Sequence, residues 1–299
     1  MLKEGVDGNQ NGAWALPWCS NCIIVMSYSN GLRDIHPHAK IGKNVTIGPF
    51  TVIEADVVIG DNCWIGSNVN ILNGARLGEG CRIFPGAVVS AMPQDLKFRG
   101  ENTTLVLGNN VTVRECCTLN RGTSAANTTL IGNDCLLMAY VHVAHDCVIA
   151  DRCVLANNVT LAGHIDIGYQ ATLGGMVAVH QFVRIGEHAM IGGGSLVRKD
   201  VPPFVTAARE PLSYAGINSI GLRRSGFSKE EMHHIEDIYR VLFVRGLSVR
   251  KALNIIEEEI LPSVHRERIL DFVRTAKRGV MKGFRTMNGA SKVAEPVLD

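Results

Sequence analysis

The sequence predicts a mainly β protein, a left-handed parallel β-helix of hexapeptide repeats with an α-helical C-terminal domain. Steps of six from Ile35 to Val197 reach 28 positions, and 25 of them hold Ile, Leu or Val. Glycine often follows these aliphatic residues, and a small or β-branched residue stands two positions before them. Near Pro203 the period of six stops and helical spacing begins.

Repeats of this kind build a triangular prism. Three hexapeptides complete one coil of about 18 residues, in which the aliphatic side chain points inward and glycine permits the turn. Each buried aliphatic side chain contributes roughly 1.5–3 kcal/mol to folding. The stacked coils therefore have enough core to fold without disulfides.

Three positions break the period and predict where the chain leaves the prism. Asp95 and Glu101 would be buried acids, so we interpret residues 91–104 as an excursion loop. Ala125 marks a second excursion around residues 124–127. A polar loop that leaves a rigid scaffold is a natural wall for a binding site.

The period also defines the domains. We expect a poorly structured leader, then the prism, a helical domain and a tail, at 1–34, 35–203, 204–285 and 286–299. In the helical domain, Ser228 and Glu231 form a capping box that begins a helix closed by Gly246. Two further helices are predicted, from about 248 to 260 and from about 265 to 280.

Composition excludes several classes of function. A net charge of +2 on 299 residues argues against nucleic-acid binding. No apolar run reaches the roughly 18 residues of a membrane span. The leader contains Glu4 and Asp7 and is not Arg-rich, so it makes a poor transit peptide, although it could be the remnant of an organellar leader. It also lacks a secretory apolar core, so we expect a protein that is not secreted.

The nine cysteines predict reduced thiols, because their number is odd and the chain is not a small secreted domain. We interpret the leader pair Cys19 and Cys22 as accidental, since no second pair follows at zinc spacing. Six others occupy the small-residue position of the repeat, which predicts packing rather than catalysis: Cys63, Cys81, Cys117, Cys135, Cys147 and Cys153.

Four histidines are predicted to share one edge of the prism. His142 and His145 flank the inward Val143, one coil brings Gly163 and His164 next to His145, and His180 lies near a further coil. Three interpretations stay open at this point. The histidines could bind zinc, act as a general base with the adjacent carboxylate of Asp146, or form a trimer seam.

Long motifs resemble a known family. They are QDLK at 94–97, RGT at 121–123, HVAHDC at 142–147, LANN at 155–158, LAGH at 161–164, AVHQF at 178–182, DVPP at 200–203, GIN at 216–218 and GLRR at 221–224. Over roughly residues 35–285 the chain resembles the UDP-N-acetylglucosamine acyltransferase of lipid A biosynthesis. The resemblance implies transfer of an (R)-3-hydroxyacyl group from acyl carrier protein to the sugar 3-hydroxyl. It also implies a homotrimer without a metal, whose acyl donor is carried on phosphopantetheine.

The same resemblance implies residue roles. His145 would be the general base, Asp146 would orient it, and the Gly163 amide would stabilise the oxyanion. The implied substrate-binding residues are Asp95, Lys97, His142, His164, His180, Gln181, Gly193, Asn218 and Arg224. Basic residues near the domain junction could receive the acidic carrier protein: Arg198, Lys199, Arg209, Arg223 and Arg224.

The chain departs from the family pattern at three positions. Asn120 replaces a histidine, Ile220 an acidic residue, and Ser225 the second residue of an arginine pair, which puts substrate affinity in doubt rather than the reaction. With the added leader, these departures suggest a plant organellar member, mitochondrial in that case and cytoplasmic otherwise. The alternative is the N-acyltransferase that acts later in the pathway. A prism that begins at residue 35 argues against the N-terminal uridine-binding domain of that enzyme.

Overall fold

The computed structural model describes residues 32–283. The leader pair Cys19 and Cys22 and the tail at 286–299 lie outside the described residues. Within the described range the chain forms a three-faced prism of parallel strands and a C-terminal domain with four α-helices. No helix between residues 32 and 283 is long and apolar enough to cross a bilayer.

Three parallel sheets form the faces of the prism, and the chain visits them in the order A, B, C. Face A contains β1 (Asp34–Ile35), β4 (Val52–Ile53), β7 (Asn70–Ile71), β10 (Val88–Ala91), β13 (Thr118–Asn120), β16 (His142–Val143), β19 (Thr160–Leu161), β22 (Ala178–Val179) and β25 (Leu196–Val197). Face B contains β2 (Lys40–Ile41), β5 (Val58–Ile59), β8 (Ala75–Leu77), β11 (Thr104–Leu107), β14 (Thr128–Ile131), β17 (Val148–Ile149), β20 (Asp166–Ile167) and β23 (Arg184–Ile185).

Face C continues from the prism into the C-terminal domain. It contains β3 (Thr46–Ile47), β6 (Trp64–Ile65), β9 (Arg82–Ile83), β12 (Thr112–Val113), β15 (Leu136–Leu137), β18 (Val154–Leu155), β21 (Thr172–Leu173), β24 (Met190–Ile191), β26 (Val205–Ala208), β27 (Ser213–Ile217) and β28 (Lys282–Gly283). The turns between successive faces define three corners, which we call the A/B, B/C and C/A corners.

The strand register confirms the predicted repeat. Neighbouring strands are usually one 18-residue coil apart, as Val143 and Leu161 are. Leu107 instead pairs with Leu77 below it and Ile131 above it, so these two steps carry twelve and six extra residues. The twelve extra residues of the first step are the segment 92–103, and the six of the second step fall within the segment 121–127. Both segments lie outside the hydrophobic core. Both segments leave the prism at the A/B corner.

The core is the column of aliphatic side chains that the six-residue period predicts. From Ile47 onward these side chains are buried, while Ile35 and Ile41 in the first coil are partly exposed. All six cysteines of the small-residue position are buried and free, as predicted. Cys116, which lies outside that position, is exposed.

The C-terminal domain differs in part from the helical prediction for 204–285. It begins with the strands β26 and β27, because β24 leaves an open edge on face C with which β26 pairs, Ile191 opposite Ala207. The helices are α1 (Ser219–Arg224), α2 (Lys229–Tyr239), α3 (Val249–Glu259) and α4 (Val264–Arg274), and a π-helix, Arg240–Val244, continues α2. The capping box of Ser228 and Glu231 is confirmed.

The third predicted helix is shorter than the expected 265–280. It ends at Arg274, and Met281 then donates a backbone hydrogen bond to Asp200 at the end of the prism. Tyr239 makes a second connection, since its buried hydroxyl donates to the Pro203 carbonyl at 2.5 Å. These bonds fix the helical domain on the last coil.

Candidate active site

The A/B corner collects most of the polar features of the prism. Two excursions leave the prism there, and the turns that follow β16, β19 and β22 stack above them. These turns carry His145, His164 and His180 respectively. Successive coils therefore bring residues that are far apart in sequence to one edge.

His145 and Asp146 form the centre of this edge. His145 Nδ1 lies 2.8 Å from Asp146 Oδ2, His145 is only 7% exposed, and the Asp146 side chain is fully buried. Asp146 has a φ of 59°, a left-handed turn conformation that aspartate adopts more readily than most residues. This turn folds the carboxylate back onto the preceding imidazole.

Thr123 holds the other side of the carboxylate. Its backbone N–H donates to Asp146 Oδ1 at 2.9 Å and its hydroxyl donates to Oδ2 at 2.6 Å. Burial alone would raise the pKa of Asp146, but the hydrogen bonds from Thr123 and His145 hold it below its ordinary value. Asp146 is therefore ionised near neutral pH. It accepts a hydrogen bond from the N–H at His145 Nδ1, which leaves His145 Nε2 unprotonated and able to accept a proton.

Gly163 lies directly against the His145 ring. A Cβ at position 163 would lie 2.7 Å from His145 Cε1 and 2.8 Å from Nε2, so only glycine leaves room for the imidazole. Among residues 32–283, the Gly163 N–H has no hydrogen-bond acceptor. The residue that carries this unpaired backbone donor thus lies beside the basic nitrogen.

Of the other three histidines, the structure brings only His164 into ring contact with His145. Its ring meets that of His145 edge-on at 5.1 Å and stacks on Phe182 at 4.7 Å. His142 points outward from face A, bonded through Nδ1 to Thr118 Oγ1 at 2.7 Å. His180 is exposed and its Nδ1 lies 3.0 Å from the Gln181 carbonyl. The predicted four-histidine edge is therefore a close pair with two more distant members.

Asp95 and Lys97 lie on the segment 92–103 at the same corner. The Asp95 carboxylate accepts the Lys97 backbone N–H at 2.9 Å, and the Lys97 side chain is exposed. Asn120 is buried and anchors this segment by donating from Nδ2 to the Met92 carbonyl at 2.8 Å. Asn120, which stands where the family pattern has histidine, thus makes a hydrogen bond within the chain.

The remaining predicted residues lie elsewhere in the protomer. Gly193 follows β24 at the C/A corner, across face A from His145. Asn218 caps α1 by accepting the Gly221 N–H and donates to the His188 carbonyl, whereas Arg224, at the end of α1, is exposed. Ser225 contacts Gln170, and Ile220 is 62% exposed.

Sequence reasoning did not predict the roles of Thr118, Thr123 and Thr129. Thr129 Oγ1 accepts the Asp146 backbone N–H at 2.8 Å, which completes the fixation of that turn. The sequence signal nearest to Thr123 was the break of period at Ala125, but that break did not show that the inserted residues carry the Thr123 hydroxyl to the next coil.

The same groups could also bind a metal ion. His145, Asp146 and His164 each offer one ligand atom, and these atoms all lie within 4.8 Å of one another. However, Asp146 Oδ2 already accepts from both His145 and Thr123. A metal at this oxygen would have to replace those hydrogen bonds, so the donor set fits proton transfer better than metal binding.

A cavity of about 500 Å³ lies at the junction of prism and helical domain, on the coil next to His180, whose backbone N–H donates to the Val197 carbonyl. Its lining combines apolar side chains with the cations Arg198, Lys199 and Lys282. Arg198 is paired with Glu210 at 2.8 Å. The cavity is therefore suited to an amphipathic and acidic group rather than to proton transfer.

Family models match most of the described chain. Residues 200–281 match domain 2 of UDP-N-acetylglucosamine O-acyltransferase, and residues 128–163 match the bacterial transferase hexapeptide. Residues 30–130 match the GMPPB C-terminal domain.

Curated relatives include acyl-[acyl-carrier-protein]–UDP-N-acetylglucosamine O-acyltransferases. That of Chlorobaculum parvum is 49% identical over 83% of this chain and 97% of the relative, and that of a Sulfurihydrogenibium species is 46% identical over 83% and 94%.

Solved structures agree with these matches. The UDP-N-acetylglucosamine acyltransferase of Bacteroides fragilis is 48% identical, with a TM-score of 0.84 over 85% of this chain and 100% of that chain. The Arabidopsis enzyme of the same name is 32% identical, with a TM-score of 0.75 over 84% and 99%. Both resemble this chain throughout the prism and the helical domain.

Proposed function

The chain belongs to the acyl-[acyl-carrier-protein]–UDP-N-acetylglucosamine O-acyltransferase family, and from that premise we propose that His145 is the general base of its reaction. The enzyme moves an acyl group from acyl carrier protein to UDP-N-acetylglucosamine, the first step of lipid A biosynthesis. The observation that carries the proposal is the bond of His145 Nδ1 to a buried carboxylate, which leaves Nε2 basic.

The proposed step transfers one proton in each direction. His145 Nε2 removes the proton of the sugar 3-hydroxyl as its oxygen attacks the thioester carbonyl of the (R)-3-hydroxyacyl donor. Asp146 stabilises the imidazolium that forms. When the tetrahedral intermediate collapses, the C–S bond breaks and the imidazolium protonates the departing phosphopantetheine sulfur.

Gly163 is the proposed oxyanion donor. A Cβ on Gly163 would fall 2.8 Å from the reacting nitrogen, so the residue lies beside it, and within the described chain the Gly163 N–H has no acceptor to compete with the substrate. A donor that is fixed before the reaction costs no reorganisation when charge develops on the carbonyl oxygen. The free amide and the tight ring contact together support this role.

The substrate-binding roles stay predictions. Asp95, Lys97, His142, His164, His180 and Gln181 share the A/B corner or the adjoining face A, which supports their assignment to the nucleotide sugar or the acyl chain. Asn218 and Arg224 are proposed contacts to phosphate groups. The cap made by Asn218 would present the first turn of α1 to such a ligand.

A homotrimer is proposed because the site is incomplete in one protomer. His145 and Gly193 belong to different corners of the same prism, so they can line one groove only where two protomers meet. Large apolar side chains are exposed at the C/A corner, as a subunit contact requires: Phe50, Tyr140 and Met176. Acyl carrier protein is the proposed acidic partner for the basic cavity at the domain junction.

The compartment is also a proposal. The chain is expected in mitochondria if it comes from a plant and in the cytoplasm otherwise. Similarity to both an Arabidopsis and a bacterial enzyme is compatible with either origin. The leader on which this prediction depends lies outside the described residues.

The test of the proposed function is acyl transfer to UDP-N-acetylglucosamine by His145→Ala. We expect turnover to fall at least about a thousandfold, equivalent to about 4 kcal/mol of barrier, while the sedimentation of the assembly stays unchanged. His188→Ala is the matched control, since His188 is an equally buried histidine at the B/C corner, and it should keep turnover within about threefold. Full activity of His145→Ala would remove the general-base assignment.

A further inference from the structure

We propose that Thr123 is a positioning residue for the reaction, and that the excursion 121–127 exists to deliver it. Thr123 fixes the Asp146 carboxylate in the one orientation that directs Oδ2 at His145 Nδ1. This inference rests on the proposed function, because it assigns a role through the His145 and Asp146 pair.

Thr123 reaches Asp146 with two donors rather than one. The backbone N–H donates to Asp146 Oδ1 at 2.9 Å, and the hydroxyl donates to Asp146 Oδ2 at 2.6 Å. Two donors on two oxygens fix the plane of the carboxylate, whereas a single bond would let it rotate. Both residues are buried, so water does not compete for these bonds.

The excursion holds Thr123 by bonds of its own. The Thr123 carbonyl accepts the Asn127 N–H at 2.7 Å, and its hydroxyl oxygen accepts the Ala125 N–H at 3.2 Å. Gly122 donates to the Thr104 carbonyl at 3.0 Å and lies so close to Thr128 that a Cβ would fall 2.4 Å from that nitrogen. The excursion 121–127 thus forms a closed turn that places Thr123 beneath Asp146.

An alternative partner explains why the carboxylate needs this restraint. His164 Nε2 lies 3.7 Å from Asp146 Oδ2, within ion-pair range but outside hydrogen-bond range. A carboxylate free to rotate could bond to His164 instead of His145. The Thr123 donors keep Asp146 on His145, and His164 stays stacked on Phe182.

Thr123→Val tests the inference, since valine keeps the shape and removes the hydroxyl. We expect kcat to fall about 10- to 100-fold, as for other residues that orient a catalytic group, with KM for UDP-N-acetylglucosamine within about twofold. Thr123→Ser restores the hydroxyl and should recover most of kcat. Thermal melting and sedimentation of each variant identify the folded fraction on which kcat is calculated.

The same substitution in an Asp146→Ala background separates positioning from a merely structural role. If Thr123 acts through Asp146, Thr123→Val should change the residual rate of that variant by less than about twofold. An equal loss in both backgrounds would overturn the inference, as would wild-type kcat for Thr123→Val. If Thr123→Val fails either of these tests while His145→Ala is inactive, the role of Thr123 is wrong but the proposed function stands. An active His145→Ala would contradict the proposed function itself.

Discussion

The A/B and B/C corners are built from the same repeat but use their polar side chains differently. At the B/C corner, Asp151 bonds to the coil below it, accepting the Asn133 backbone N–H at 2.7 Å and, over a longer distance, the Asn133 side-chain amide at 3.2 Å. At the A/B corner, His145, Asp146 and Thr123 bond mainly to one another. Polar groups that satisfy backbone stabilise the stack, while groups that satisfy each other form a site.

Substituting the aspartate at each corner should give the largest contrast. Asp146→Asn would donate to His145 Nδ1 and force the proton onto Nε2, so turnover should fall about 100- to 1000-fold with little change in stability. Asp151→Asn keeps an acceptor for Asn133 and should cost less than about 1 kcal/mol of unfolding free energy with normal turnover. Steady-state rates and urea unfolding measure the two effects. Equal activity of the two variants would contradict the proposed difference between the A/B and B/C corners.

Glycine substitutions should separate the corners in the same way. In Gly163→Ala the three atoms nearest to the new Cβ all belong to the His145 ring, which must turn away, so kcat should fall about 10- to 100-fold. In Gly132→Ala the Cβ meets the Asp151 carboxylate and also the backbone of the next coil, 2.7 Å from the Asp151 nitrogen, so stability should fall by about 1–3 kcal/mol. Rates at 25 °C and melting curves check both, and a loss of stability alone in Gly163→Ala would refute this assignment.

A pH titration should locate a stability effect at the B/C corner. Burial lowers the pKa of His188 below its ordinary value, against the opposing effect of Glu187, and Arg268 and His265 lower it further. The unfolded chain therefore binds the proton more readily, so stability should decrease as pH falls from about 6.5 toward the folded-state pKa. His188→Gln should reduce this dependence in urea unfolding measured between pH 7 and 5. An unchanged slope would contradict the prediction.

The smallest effect is expected for the cysteines. Burial raises the pKa of Cys117 and Cys147 to about 12, so neither thiol should react with iodoacetamide at pH 8 in the folded protein. Cys116 is exposed in one protomer but lies at the C/A corner, so its labelling should be slow in the assembly and fast after dissociation if that corner is the subunit contact. Peptide mass spectrometry of labelled protein measures this, and rapid labelling of Cys147 would mean that the A/B corner opens in solution.

Most of the fold could be predicted from sequence because its period repeats many times and each repeat obeys the same packing rule. The pairing of His145 with Asp146 was predictable because the two residues are adjacent. The Thr123 contact was not, since it depends on how an inserted turn folds back over a neighbouring coil. The strands β26 and β27 were missed because their pattern departs from the period, although an open edge of face C receives them.

The lengths of the two excursions have a consequence for engineering. Twelve and six residues are whole multiples of the repeat, and each excursion rejoins the prism at the corner where it left. Excising residues 92–103 should let Ala91 continue directly to Thr104 without shifting a single strand above the cut. The coil stack would then serve as a rigid scaffold on which foreign loops of many lengths can be grafted at the A/B corner.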